Sequence, residues 1–382
     1  GTFDQSGDIG LDLKAALTSS LTLDVTVNPD FAQAEADEQQ VNLTQFSQFF
    51  PEKRDFFLEN SGVFYVGDAG RNNRVNPTPT PDEDLLPFFS RSIGLAKDGR
   101  PIPITAGARL SGRLGGFTVG GLFAHTKKQG SQPSNLWGVA RVRRNILKNS
   151  DIGAVFMTRA ASGRDNDYNR VFGLDATIRF PGNVDWSIYG LTSQTPGRTG
   201  GQSAFRTSLN REGNFLHMKG GVMRIDPQFN DELGYLRRTG VMKSFTDIGI
   251  RPRPLSLKKY GVRELHPHAV WNYFNDLDGK FLAKKLHTGF TVFLDQTPLM
   301  QAVVARFLDN GGFFEYSENP TADTLDKPFR IHRGDAPIPA GFYDWNVHQI
   351  KINSDASRKL SVNLDLGKGG LWNGRQKSIA PQ

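Results

Sequence analysis

Residues 169–180 read NRVFGLDATIRF, and a period of two puts Phe172, Leu174, Ala176, Ile178 and Phe180 on one face. Pro181-Gly182-Asn183 follows, and Val184 to Leu191 alternates in the same way. Two such runs joined by a Pro-Gly-Asn signal predict a β-hairpin with one apolar and one mixed face.

The same grammar spreads in both directions. Leu21, Leu23, Val25 and Val27 alternate with Thr22, Asp24 and Thr26, and the run from Ile9 to Ala15 precedes them across Thr18-Ser19-Ser20. Ile104 to Leu114 sets Ile, Ala, Ala and Leu against Thr, Gly, Arg and Ser, and Gly115-Gly116 turns it into Phe117 to Thr126. Leu136 to Asn145 pairs with Asp151 to Ala160, His266 to Phe274 with Phe281 to Leu294, and Asp344 to Asn353 with Arg358 to Leu366. About sixteen candidate strands result, most of them about nine to eleven residues long, against about five or six in an ordinary sheet. Such lengths suit tilted strands that cross a bilayer. Connections also alternate: Lys148 to Ser150, Pro181 to Asn183, Asn275 to Gly279 and Ser354 to Ser357 are short, whereas Ala161 to Tyr168, Thr192 to Gln202 and Asn310 to Phe342 are long and polar. The expected fold is therefore all-β, an antiparallel outer-membrane-type barrel spanning 1–382 as a single region and lacking some strands.

Composition by itself points elsewhere. The 382 residues carry a net charge of +7 and no cysteine, and the mean hydropathy is -0.43. No window approaches the apolar length of a spanning helix. Only every second strand residue of a barrel meets lipid, so averaging it with its polar neighbour hides the membrane face. The missing cysteines exclude disulfides, iron–sulfur clusters, thiolate zinc sites and cysteine nucleophiles. Nothing resembles a Walker loop, so nucleotide chemistry has no support. Residue 1 is Gly rather than Met and no basic-then-apolar run precedes Asp4, so a mature chain or a fragment is expected.

From Asn28 to Pro103 the strand pattern stops, for longer than a plain connection in a compact domain. Glu38 to Phe49 predicts a short helix ended by Pro51. Phe46, Phe49, Phe50, Phe56 and Phe57 need burial while Glu52, Lys53, Arg54, Asp55 and Glu59 need partners, which an inward-folded, plug-like insert over 28–103 would satisfy.

The strings NPDFAQAEAD, VNLTQFSQFFPEKRDFFLE, FFSRSIG and NDELGYLRR together resemble the bacterial family called domain of unknown function 5916, from about Asp8 to the C-terminal strands. The resemblance implies an outer-membrane barrel-like region, normally behind an N-terminal carbohydrate-binding domain of the family-nine type, and no established reaction. The signature residues are Asn28, Pro29, Asp30, Phe31, Glu35, Asp37, Phe50, Pro51, Glu52, Lys53, Arg54, Phe57, Leu58, Glu59 and Arg91. Ser378 to Gln382 lack a terminal aromatic strand, so a piece of a longer protein with open strand edges is expected.

Chemistry is thinly signalled. Glu35, Asp37, Glu52, Asp55 and Glu59 are the carboxylates from which a glycoside hydrolase would draw its pair, but ion pairing to Lys53, Arg54 or strand arginines explains them equally well. His266 and His268 share a strand face, a spacing that binds metals, yet Pro267 between them and the want of a third ligand favour a rim or turn, and no metal or cofactor is assigned. Asn275 to Gly279 reads as a turn rather than a calcium loop. The basic run Arg237, Arg238, Lys243, Arg251, Arg253, Lys258, Lys259 and Arg263 reads as a basic loop or rim rather than a nucleic-acid surface. Arg141 and Arg143 share a strand face and are the candidate lumen-facing cations. The expectation is a bacterial outer-membrane protein that contacts lipid and passes, binds or displays an envelope or extracellular ligand such as a glycan, with no catalytic residues assigned. A surface carbohydrate hydrolase and a soluble β-rich binding module are the alternatives.

Overall fold

The computed structural model describes residues 10–29, 43–46, 49–67, 84–96, 100–294, 312–331, 335–354 and 362–381. These are all-β apart from a few single turns of helix. In chain order the strands are β1 (Leu11–Thr18), β2 (Leu21–Val27), β3 (Leu85–Leu86), β4 (Ile104–Leu114), β5 (Phe117–Thr126), β6 (Asn135–Ile146), β7 (Ser150–Ala161), β8 (Tyr168–Phe180), β9 (Val184–Gln194), β10 (Ser203–Glu212), β11 (Leu216–Ile225), β12 (Tyr235–Leu236), β13 (Val241–Ile250), β14 (Val262–Asp276), β15 (Phe281–Leu294), β16 (Phe313–Glu318), β17 (Thr321–Leu325), β18 (Gly341–Trp345), β19 (Val347–Asn353), β20 (Asn363–Leu371) and β21 (Gly374–Pro381). Helical turns lie at α1 (Asp55–Leu58) and α2 (Leu255–Lys258).

Two compact units divide the chain: Gly1–Arg179 with Trp186–Thr207 and Arg224–Gly240, and Phe180–Asp185 with Ser208–Met223 and Val241–Gln382. In the first, β1, β2, β4, β5, β6, β7 and β8 form one antiparallel run, each paired with the next. Its hairpins use the expected turn chemistry: Gly115 and Gly116 take φ of 53° and 84° between β4 and β5, a backbone twist that matches the flanking strands. In the second, β13, β14 and β15 pair in order, and β15 then pairs with β16 and β17 over different parts of its length. Beyond them β16 meets β19, β17 meets β18, and β19, β20 and β21 follow. The long loop expected from Asn310 to Phe342 therefore carries β16, β17 and the start of β18. Asn319-Pro320 imitates a loop because Pro cannot donate to a ladder, but here only these two residues separate β16 from β17.

Several strands expose large apolar side chains while burying polar ones. Along β8, Phe172 and Leu174 are 49% and 69% exposed, whereas Asn169 and Asp175 are 0% and 7% exposed. The other unit repeats this: Trp271, Phe290 and Phe314 are exposed while Glu264, His266, Thr291, Glu315 and Ser317 are buried. The apolar rows read from the sequence are real, and that of β8 is exposed or half-buried along its length.

Candidate functional site

Three of the four signature strings meet in the first unit, and Arg54 is the residue that joins the first two. Its guanidinium grips the Glu52 carboxylate through Nε and a terminal nitrogen at 2.9 and 2.8 Å, and donates to the carbonyls of Ile93 and Ser90 at 2.8 and 3.0 Å. The Ser90 hydroxyl donates to Glu52 at 2.8 Å, and the backbone N–H groups of Lys53 and Arg54 do so at 3.0 Å. Arg91 returns the contact, donating to the Pro51 carbonyl and standing over the Phe50 ring. Burial pushes the Glu52 carboxyl up, but the Arg54 guanidinium and N–H and the Ser90 hydroxyl outweigh it and hold it below the usual carboxylate value.

The third string closes the cluster. Phe49, Phe89 and Tyr235, one ring from each string, pack with centroids 5.1, 5.3 and 5.9 Å apart. Phe89 N–H donates to the Leu233 carbonyl, Ser92 to that of Gly234, and β3 pairs with β12. Asn230 donates to Thr195, just past β9, and Arg159 on β7 donates to Glu232. Between them Asp231 is buried, and burial pushes its carboxyl up to about 8 despite the N–H groups of Leu233 and Gly234.

Strand arginines fasten this cluster to the polar face of the sheet. Arg109 on β4, buried, donates to the Phe56 and Glu59 carbonyls, to Asp24 on β2 at 2.7 Å and to the Glu59 carboxylate at 3.1 Å. Arg141 on β6 makes a two-pronged pair with Asp175 on β8 at 2.6 and 2.8 Å and donates to the Tyr65 carbonyl at 3.0 Å. Asp175 also accepts from Gly67 N–H. Arg143 lies on the same strand face as Arg141 and is half-buried.

Chemically, this is a clasp. Glu52 accepts five donors, against roughly four lone-pair directions on a carboxylate, so it has nothing left with which to move a proton. Glu59 is paired with Arg109 and Lys14. The cavity beside them, about 190 Å³ and lined in part by Phe49, Glu52, Phe57, Tyr65, Phe89 and Ser90, is smaller than the roughly 300–1,000 Å³ of a ligand pocket.

Asn28 and Pro29 follow β2, where Asn28 N–H donates to the Thr105 carbonyl. Asp30, Phe31, Glu35 and Asp37 lie outside the described residues, as does most of the helix expected over 38–49, of which 44–46 form bends. The helical turn instead follows Pro51, at α1, with the Arg54 carbonyl accepting from Phe57 and Leu58. Phe57 is buried inside that turn and Leu58 exposed. Asn275 to Gly279 is a turn, with Asp276 accepting from Asp278 and Lys280 N–H. Within the basic run, Arg251 pairs with Glu212, Arg253 with Glu264 and Arg237 with Asp84. His266 and His268 are the clear departure. They sit inside β14, with Pro267 opposite Phe290, and not at a rim or turn. The residues missed were Asp24, Arg109 and Asp175, whose only signal is a charge in mid-strand on the non-apolar face.

A family model described as domain of unknown function DUF5916 matches residues 1–140. No curated protein and no solved structure matches the chain. The DUF5916 match includes the Val41–Glu59 and Phe88–Gly94 strings and ends before Asn230–Arg238, whose Tyr235 packs against Phe49 and Phe89.

Proposed function

We propose that this chain is the bilayer-embedded β-barrel part of a bacterial outer-membrane protein, with residues 28–103 folded as a plug against its inner, polar face. Its role is passage, binding or display of an envelope or extracellular ligand such as a glycan. The reversed burial of β8 carries the reading. A soluble sheet gains nothing by turning Leu174 and Phe172 to water while burying Asp175 and Asn169, whereas a bilayer takes the first pair and a polar interior the second. Strand lengths agree. β6, β7 and β8 run 12, 12 and 13 residues, sufficient for the roughly nine to eleven that a tilted crossing needs. The plug is supported by Arg109 and Arg141, which reach from buried strand positions to carbonyls of the DUF5916 segment.

The test is electrophoresis of the full-length protein, extracted from membranes in detergent, with and without boiling. A closed barrel resists unfolding in cold detergent, so a mobility shift on boiling and recovery in the outer-membrane fraction are expected. Recovery in the soluble fraction without detergent, or one unshifted band, overturns the reading.

A further inference from the structure

We propose that His268, His287 and Glu315 form a binding site for a divalent metal ion of the zinc class. The three side chains come from the neighbouring strands β14, β15 and β16, and their ligand atoms lie within 4.8 Å of one another. The inference rests on contacts inside one compact unit and is independent of the membrane reading.

Tautomers carry the argument. His268 Nδ1 stands 3.1 Å from the His266 carbonyl oxygen, which can only accept, so this nitrogen holds the hydrogen. His287 Nδ1 stands 2.7 Å from Asn319 Oδ1. The amide is oriented by its other end, since Asn319 Nδ2 donates to the Val347 carbonyl at 3.2 Å, and Oδ1 is therefore the acceptor that faces the ring. Both imidazoles thus carry their hydrogen on Nδ1, and each neutral ring presents a bare Nε2. These two nitrogens face each other at 3.0 Å. Lone pair against lone pair is repulsive, and a positive charge between them resolves it.

The neighbouring histidine pair serves as an internal control. His217 and His266 also approach through Nε2, at 3.2 Å. There Arg251 donates to His217 Nδ1, which makes that nitrogen the acceptor, puts the hydrogen on Nε2 and yields an ordinary hydrogen bond to His266. No cation is needed in that pair.

Glu315 distinguishes a metal ion from a shared proton. It is buried, and one of its oxygens accepts from the Thr291 hydroxyl at 2.9 Å, which leaves the other for an ion. Two imidazole nitrogens and a carboxylate are the donor set of zinc sites that keep a fourth position open, while calcium and magnesium take oxygen alone. At a tetrahedral zinc, nitrogens about 2.0–2.1 Å from the metal stand about 3.3 Å apart, so the rings need part only by a few tenths of an ångström. Asn319 and the His266 carbonyl, which fix the ring hydrogens, and Thr291, which fixes the carboxylate, are the outer partners such sites use. Space is also set aside. Gly289 lies opposite His268, and a Cβ there would come within 2.6 Å of His268 Nε2 and 3.0 Å of His287 Nε2. Lys351, opposite Glu315 on β19, is the neighbouring positive charge with which a metal must compete.

The test uses the full chain in detergent, stripped with chelator and then equilibrated with zinc or cobalt(II) and dialysed. Wild type is expected to retain about one ion per folded chain and, with cobalt, to show the visible bands of low-coordinate nitrogen and oxygen ligation. His287→Gln and Glu315→Gln are expected to weaken binding by more than tenfold, Asn319→Ala by about 10–100-fold, and His217→Gln to leave it unchanged. Wild type that retains no ion overturns the proposal in favour of a proton shared between the rings. So does retention unaltered by both ligand substitutions, or loss in His217→Gln as large as theirs. Uptake and the cobalt spectrum are read on the wild type, so a variant that fails to fold does not remove the test.

Discussion

At the scale of single residues, Arg54 and Asp231 show what burying charge costs inside the signature cluster. Arg54→Ala would strand the Glu52 carboxylate without its counter-charge, a loss of about 3–5 kcal/mol for a buried pair, expected as a lower urea midpoint. Arg54→Lys recovers little, because an ammonium cannot grip both carboxylate oxygens while reaching the carbonyls of Ser90 and Ile93. An Arg54→Lys variant as stable as wild type would sink the clasp. The two carboxyls also titrate with opposite sign. Glu52 lies below its ordinary 4.5, so its contribution is present above that value and fades as pH falls through the folded one. Asp231 is raised from 3.8 to about 8, so the fold holds a proton that the unfolded chain releases, and its contribution is present below 3.8 and lost as pH rises through about 8. Urea midpoints at pH 5 and pH 9 are expected to fall on the alkaline side in wild type and to converge in Asp231→Asn, with a difference on the order of a few kcal/mol. An unchanged pH slope in the variant would show that Asp231 is not the group responsible.

At the scale of the element, β8 supplies the sharpest contrast between readings. Leu174 is exposed, so in water Leu174→Arg is close to neutral; facing lipid it costs about 2–4 kcal/mol near the bilayer centre and less toward the edge. The heat-modifiable band is expected to weaken for Leu174→Arg and to persist for Leu174→Ile. A band undiminished by arginine would argue against lipid on this face. Elements also show where local pattern misleads. Asn319-Pro320 reads as loop, yet β16 and β17 on either side pair with the same strand, β15. A turn signal reports local backbone freedom, and the ladders either side were decided by β15, which sequence proximity does not reveal.

At the scale of the whole molecule, strand content, hairpin turns and the apolar rows were legible in the sequence because each depends on neighbours two to ten residues away. Phe172, Leu174 and Phe180 had to share a face once the chain was extended. The strings around Pro51, Phe88 and Asn230 could be picked out as unusual, but not that they would meet. Tertiary structure alone decided three things. It left the apolar row of β8 exposed, since periodicity separates two faces without saying which one meets solvent. It matched Arg109 with Asp24 and Arg141 with Asp175, across 85 and 34 residues, because ion pairs follow the register between strands and not their order in the chain. And it set His287 and Glu315 beside His268, which sequence reading had left without a third ligand, since a donor set spread over three strands exists only once their hydrogen-bonded ladders fix how far each strand slides past the next.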